Sequence, residues 1–287
     1  MMNYRSVIKQ TFAEEFQMGP LRVKQPLPVK ELEQVSPFIL LHHAGPDVHI
    51  AGKGRTRLNP HPHRGFEPVT FLFNGRLHHK DSLGNEGFLE SGDVQWMTAG
   101  SGIIHSEGPS AGFAKEGGTM ELIQLWVNLP RKDKMTTPRY QDIKKEAIPI
   151  VTEDAGKITM RIVAGDYKDV KGPATTFTPI LAATVDFGED AYAAIQIPSS
   201  YNALLYVLEG TIESSGKEVK ALHMAVFDKG GDAIELRTKT SGKLLVLAGE
   251  PIQEPMSSYG PFVMNYPGEI KQAVLDYEQG KMGVLES

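Results

Sequence analysis

Cysteine is missing from all 287 residues, and that single absence removes several chemistries together. Without thiols there is no disulfide, no zinc–thiolate or iron–sulfur centre and no cysteine nucleophile. A reducing compartment is compatible with this composition. Long apolar runs are also missing. Nothing approaches the length needed to cross a bilayer, and Met1 to Phe12 has no apolar core of signal-peptide type. A cytoplasmic protein with no membrane contact is therefore expected. No run of Lys or Arg is present, and 30 basic against 35 acidic residues leave a net charge of −5. That balance gives no electrostatic footprint for nucleic acid.

What is present is an ordinary globular composition, 40% hydrophobic and 23% charged, in a chain long enough for two domains. The 29 glycines and 19 prolines favour many short strands and turns over long helices. Met1 to Val29 should contribute a strand or two, and Pro37 to Leu41 is a short apolar run. Gly52 to Pro60 reads as a loop. Pro68 to Phe73 is rich in β-formers and ends at Asn74-Gly75, a strong hairpin signal, with Arg76 to Ser82 as the returning strand. Val94 to Thr98, Ile103 to Glu107 and Met120 to Leu129 follow as further strands. Arg131 to Pro149 looks like a connecting segment with a helical turn. A second β-rich region starts near Ile158, and Glu269 to Glu278 has the apolar spacing of a short helix. Such closely spaced strands imply a sandwich or barrel.

The chain also repeats itself. Phe71 to Gly75 (Phe-Leu-Phe-Asn-Gly) matches Tyr206 to Gly210 (Tyr-Val-Leu-Glu-Gly), and twelve positions before each glycine stand His63 and Pro198. A duplicated barrel is expected, with histidines kept in the first copy only.

Those histidines are the chemical centre of the sequence. Residues two apart on a strand face the same way. His61, His63 and Glu67 would then share one face of an extended segment, and His105 and Glu107 one face of another. Imidazole and carboxylate suit a first-row transition metal. The alternative is a hydrogen-bonded polar barrel mouth without metal. The adjacent pairs His42-His43 and His78-His79 put one member on each face, so one of each pair could line the site mouth. His49 and His223 are read as structural, and Trp96, Met97 and Trp126 as core or pocket floor.

The stretches Asn59-Pro-His-Pro-His-Arg-Gly-Phe-Glu67, Gly92 to Glu107 and Gln124-Leu-Trp-Val-Asn-Leu-Pro130 together resemble the pirin family of the cupin superfamily. The resemblance implies an all-β fold of two stacked, cupin-like antiparallel β-barrels of jelly-roll type with a short C-terminal helix. Residues 1–135 would form the metal-binding barrel, and residues 136–287 a barrel without ligands plus the helix. The family's ligands fall on His61, His63, His105 and Glu107, while Glu67 is placed behind them. One divalent metal is implied, Fe(II) first, with Ni, Mn, Cu and Zn also compatible with these donors. Some pirins resemble quercetin 2,3-dioxygenases, which cleave flavonols with O2. Others are regulators that bind a transcription factor or a metabolic enzyme. The first expectation is thus a metal-dependent dioxygenase acting on a small aromatic, flavonol-like substrate, with Glu107 serving as ligand and as catalytic base. The second is a redox-sensing metal protein with a protein partner. A monomer is expected in either case.

Overall fold

The computed structural model describes residues 2–19, 21–53 and 57–286, so part of the loop expected over Gly52 to Pro60 lies outside the described residues. Almost all regular structure is β. Contacts divide the chain into two compact units. One comprises Met1–Glu14, Gln25–Pro37 and Glu146–Pro251; the other comprises Glu15–Lys24, Phe38–Lys145 and Ile252–Ser287. Among the described residues, no helix is long and apolar enough to cross a membrane.

The units repeat one layout. In the histidine-bearing unit, a seven-stranded sheet runs in the order Arg139–Ile143, Val94–Thr98, Phe66–Asn74, Gly118–Asn128, Phe38–His49, Leu21–Leu27 and Glu14–Met18. A four-stranded sheet runs His61–His63, Ile103–Pro109, Arg76–Asp81 and Glu86–Glu90. The other unit has a seven-stranded sheet in the order Val7–Phe12, His223–Phe227, Asn202–Glu209, Gly242–Gly249, Ile180–Phe187, Ile158–Ala164 and Ile150–Glu153. Its four-stranded sheet is Tyr192–Gln196, Ala233–Thr238, Thr211–Ser214 and Lys217–Lys220. Both are cupin-like jelly rolls, as expected.

Pairing explains why the units are discontinuous in sequence. Arg139–Ile143 is a strand, where a connecting segment was expected, and it pairs with Val94–Thr98. Val7–Phe12 pairs with His223–Phe227. A cut at residue 135 would thus separate strands that share a sheet. The helix observed at Pro267–Glu278 packs on the short strands Ser257–Tyr259 and Phe262–Met264.

The matching Asn74-Gly75 and Glu209-Gly210 segments are not hairpins. In each unit the strand before the glycine lies inside the seven-stranded sheet with neighbours on both sides, so the chain crosses to the four-stranded sheet. Gly75 (φ +101°) and Gly210 (φ +87°) make this corner in a backbone region that side chains avoid. At Gly210, a Cβ would lie 2.4 Å from the Ser241 carbonyl oxygen.

Register then identifies equivalent positions. His105 lies opposite His61 and Glu107 opposite His79. In the other unit Ile234 lies opposite Ile195, and Ile212 opposite Thr238 takes the place of Leu77 opposite Pro109. The counterparts of His61, His63, His105 and Glu107 are Ile195, Ile197, Ile234 and Leu236, all at most 1% exposed. The second histidine position therefore maps onto Ile197, one residue before the Pro198 reached by counting. These four belong to a continuous apolar core drawn from both sheets. Truncating one of them removes apolar contact and opens a cavity. Ile234→Ala should lower unfolding free energy by about 2–5 kcal/mol in denaturant titration, while metal uptake by the folded protein stays unchanged.

Candidate metal centre

His61 and His63 sit on a three-residue strand, and its antiparallel partner carries His105 directly across from His61. Directly opposed residues in an antiparallel pair face the same side, so three imidazoles converge. Their ring centroids are 4.4–4.9 Å apart, and one nitrogen from each ring lies within 4.8 Å of the others. His63 and His105 are buried and His61 is half-buried.

The hydrogen bonds show how these nitrogens are turned. His61 Nδ1 donates to the Asn59 carbonyl at 2.8 Å, which leaves Nε2 with its lone pair turned inward. His61 Nε2 and His105 Nε2 face each other at 2.9 Å. Two nitrogens bound side by side to one ion, at about 2.0–2.1 Å each and at right angles, stand about 2.9 Å apart. Among the described residues, the Nδ1 of His105 is buried without a hydrogen-bond partner, and neither His63 nitrogen has one of good geometry, its contact with the Pro261 backbone being a loose one. Each such orphan costs roughly 1–3 kcal/mol. Burial, then the neighbouring imidazoles, hold His63 and His105 far below the usual histidine pKa, so both rings are neutral. Neutral, desolvated, convergent imidazoles fit a transition metal.

Glu107 stands two residues beyond His105 and is buried. It falls outside the close histidine group. Its Oε1 accepts from Gln124 Nε2 at 2.7 Å, and Gln124 Oε1 accepts from Trp126 Nε1 at 3.2 Å. Trp126 thereby fixes which end of the amide faces Glu107. Burial pushes the Glu107 carboxyl up, opposed by His61, the Gln124 bond and Arg57. Phe66 and Trp126 approach the His63 ring at 5.1 and 5.3 Å.

Beside Glu107 and Gln124 opens a pocket whose apolar wall includes Leu21, Val23, Leu77, Met120 and Leu122. His42 also lines it, on the strand position opposite Gln124, with burial lowering its pKa to about 4. His43 faces the reverse side and bonds Glu121 at 3.2 Å. Of the other pair, His79 lies opposite Glu107 and stacks on Tyr140, whereas His78 bonds Glu86. Trp96 is fully buried core. Gln124 escaped the sequence reading, although a polar residue alternating with Ile123 and Leu125 and sharing a face with Trp126 was a usable signal.

Glu67 does not join the cluster. Gly65, at φ +86°, separates the strands His61–His63 and Phe66–Asn74 and breaks the expected alternation. Glu67 pairs with Val127, whereas Thr70 pairs with Gln124, so Glu67 faces away from the site. Its carboxylate accepts from Thr98 Oγ1 at 2.7 Å.

A model described as Pirin matches residues 20–127, and one described as Pirin C-terminal cupin domain matches residues 183–283. A Pseudomonas aeruginosa protein, named provisionally as a quercetin 2,3-dioxygenase, is 42% identical over 87% of each chain. The chain belongs to the pirin family. Mouse pirin is 36% identical over 91% of this chain and 88% of its own. A solved quercetin 2,3-dioxygenase from Acinetobacter baumannii superposes with a TM-score of 0.95 at 36% identity, covering 99% of this chain and 100% of its own.

Burial, outweighing the Thr98 bond, raises the Glu67 pKa to about 7. A carboxyl with a raised native pKa contributes stability that is complete below its unfolded pKa and is lost as pH rises through the native one. In the metal-free protein, unfolding free energy should therefore fall between about pH 4.5 and 7 by up to roughly 3 kcal/mol. Glu67→Gln should flatten that slope in denaturant titrations at stepped pH.

Proposed function

We propose that the chain is a mononuclear metal-dependent dioxygenase of quercetin 2,3-dioxygenase type, cleaving a flavonol-like substrate with O2. The observation that carries this reading is the convergence of three imidazoles, two of them desolvated, beside a carboxylate that borders an apolar pocket. His61, His63 and His105 would hold the ion and Glu107 would complete the set, with Fe(II) the first choice and Ni, Mn, Cu and Zn sharing the same ligand preferences. When bound, the ion supplies Lewis acidity toward an enol oxygen and a route for electrons to dioxygen.

The remaining work falls to side chains. Leu77, Met120 and Leu122 provide an apolar wall for planar rings. Glu107 stands at the edge of that wall, and its raised pKa suits it to take the proton from the substrate's 3-hydroxyl. Gln124 holds one carboxylate oxygen, which leaves the other to serve in turn as ligand and as proton acceptor.

Names among the relatives support this reading, since that of the Acinetobacter baumannii structure carries the activity outright. With quercetin, the metal-loaded protein should consume O2 and release carbon monoxide. His61→Ala should lose more than roughly 100-fold in rate, because even a group behind a metal ligand is worth 10–100-fold. An oxygen electrode with headspace gas analysis reads both. Stoichiometric metal without oxygen uptake would contradict the enzyme and favour the redox-sensing reading, in which the metal's charge state governs a protein partner.

A further inference from the structure

Arg64 follows His63 directly, and its guanidinium is almost completely buried on the side away from the imidazoles. Nε donates to the Ser101 carbonyl at 2.7 Å, and Nη1 to Asp276 Oδ2 at 2.8 Å. The paired side chains are only 6% and 12% exposed. Ser101 belongs to the turn that leads into the His105 strand, and Asp276 to the helix Pro267–Glu278. One side chain thus ties both histidine-bearing strands to that helix.

The backbone around Arg64 is held as closely. Arg64 N–H donates to the Pro261 carbonyl and its carbonyl accepts from Val263 N–H. Gly65 N–H donates to the Gly100 carbonyl, and the Gly65 carbonyl accepts from the fully buried Lys134 Nζ at 2.8 Å. A Cβ on Gly65 would lie 2.0 Å from the Val263 carbonyl oxygen. Asp276 itself cannot swing away. Its Oδ1 accepts from Gln272 Nε2 and Lys281 Nζ, both at 2.9 Å, which leaves Oδ2 to Arg64. Ile104, Phe262, Ile270 and Ala273 form an apolar cluster that seats the helix beside the His105 strand.

We propose that Asp276 is a positioning residue for the metal centre, acting through Arg64 to fix the spacing of His63 against His105. It touches neither metal nor substrate. The inference rests on the metal reading above, and deepens it by making the C-terminal helix part of the site's framework. A buried pair of this kind is weakly screened by salt, so the effect should persist at high ionic strength. Three donors on one carboxylate, Lys281 first, hold its pKa below the usual carboxylate range.

The test is chelator competition for Fe(II) or Ni(II), with melting of the metal-free protein measured alongside. Asp276→Asn should weaken metal affinity about tenfold, the lower end of the cost of disturbing groups behind a ligand. Gln272→Leu and Lys281→Met, which free Oδ1 and leave the Arg64 bond, should weaken it less. The metal-free melting midpoints of those two variants should stay near wild type. Wild-type affinity in Asp276→Asn, with or without a lowered melting midpoint, overturns the proposal. If Asp276→Asn does not fold, unchanged affinity in both of the other variants overturns it instead. A wild-type protein that takes up no metal overturns this inference and the metal reading together. Metal uptake with intact positioning effects but no oxygen consumption overturns only the dioxygenase.

Discussion

The antiparallel register between His61–His63 and Ile103–Pro109 is the constraint on which the site depends. It sets His105 opposite His61, and strand alternation then brings His63 to the same side. A slip of one residue would turn His105 to the other face and bring Ile104 or Ser106 in its place. The register is secured from outside the pair. Gly65 interrupts the strand after His63, and the carbonyls of Gly100 and Pro261 take the amides at the break. Arg64 and Lys134 complete the anchoring from beneath. The anchoring groups of Arg64, Gly65 and Lys134 are hydrogen-bonded, while buried nitrogens of His63 and His105 face inward without a partner of good geometry.

The duplicated unit shows the same frame put to another use. Where the first copy has three imidazoles and a carboxylate, the second has Ile195, Ile197, Ile234 and Leu236 in one apolar core. Such a core is stabilised by burying apolar area. The first copy instead accepts desolvated imidazoles, a cost that a bound ion would offset. Fold and site are thus separable: the jelly roll persists in both units, and convergent imidazoles are found in only one of them among the described residues.

Much of this was legible in the sequence because period-two alternation and glycine-marked turns are local signals. The two-unit β architecture, the C-terminal helix and the convergence of His61, His63 and His105 could be read from spacing and motif. What could not be read was non-local. Asn74-Gly75 looks like a hairpin, but the strand before it is already flanked by Val94–Thr98 and Gly118–Asn128 and cannot receive its successor. Glu67 looked coplanar with the histidines until Gly65 broke the alternation. Arg139–Ile143 is too polar to announce a strand, yet it has a sheet edge to pair with. The Arg64–Asp276 pair spans 212 positions, and no local pattern foretells it.

The central claim is that three convergent imidazoles, two of them buried, form a metal-binding centre. Elemental analysis of the purified chain beside its His63→Ala and His105→Ala variants tests it most directly. The account predicts about one transition-metal ion per wild-type chain and a near-complete loss in each folded variant. A wild-type protein without metal after loading, or variants that keep a full complement, would contradict it.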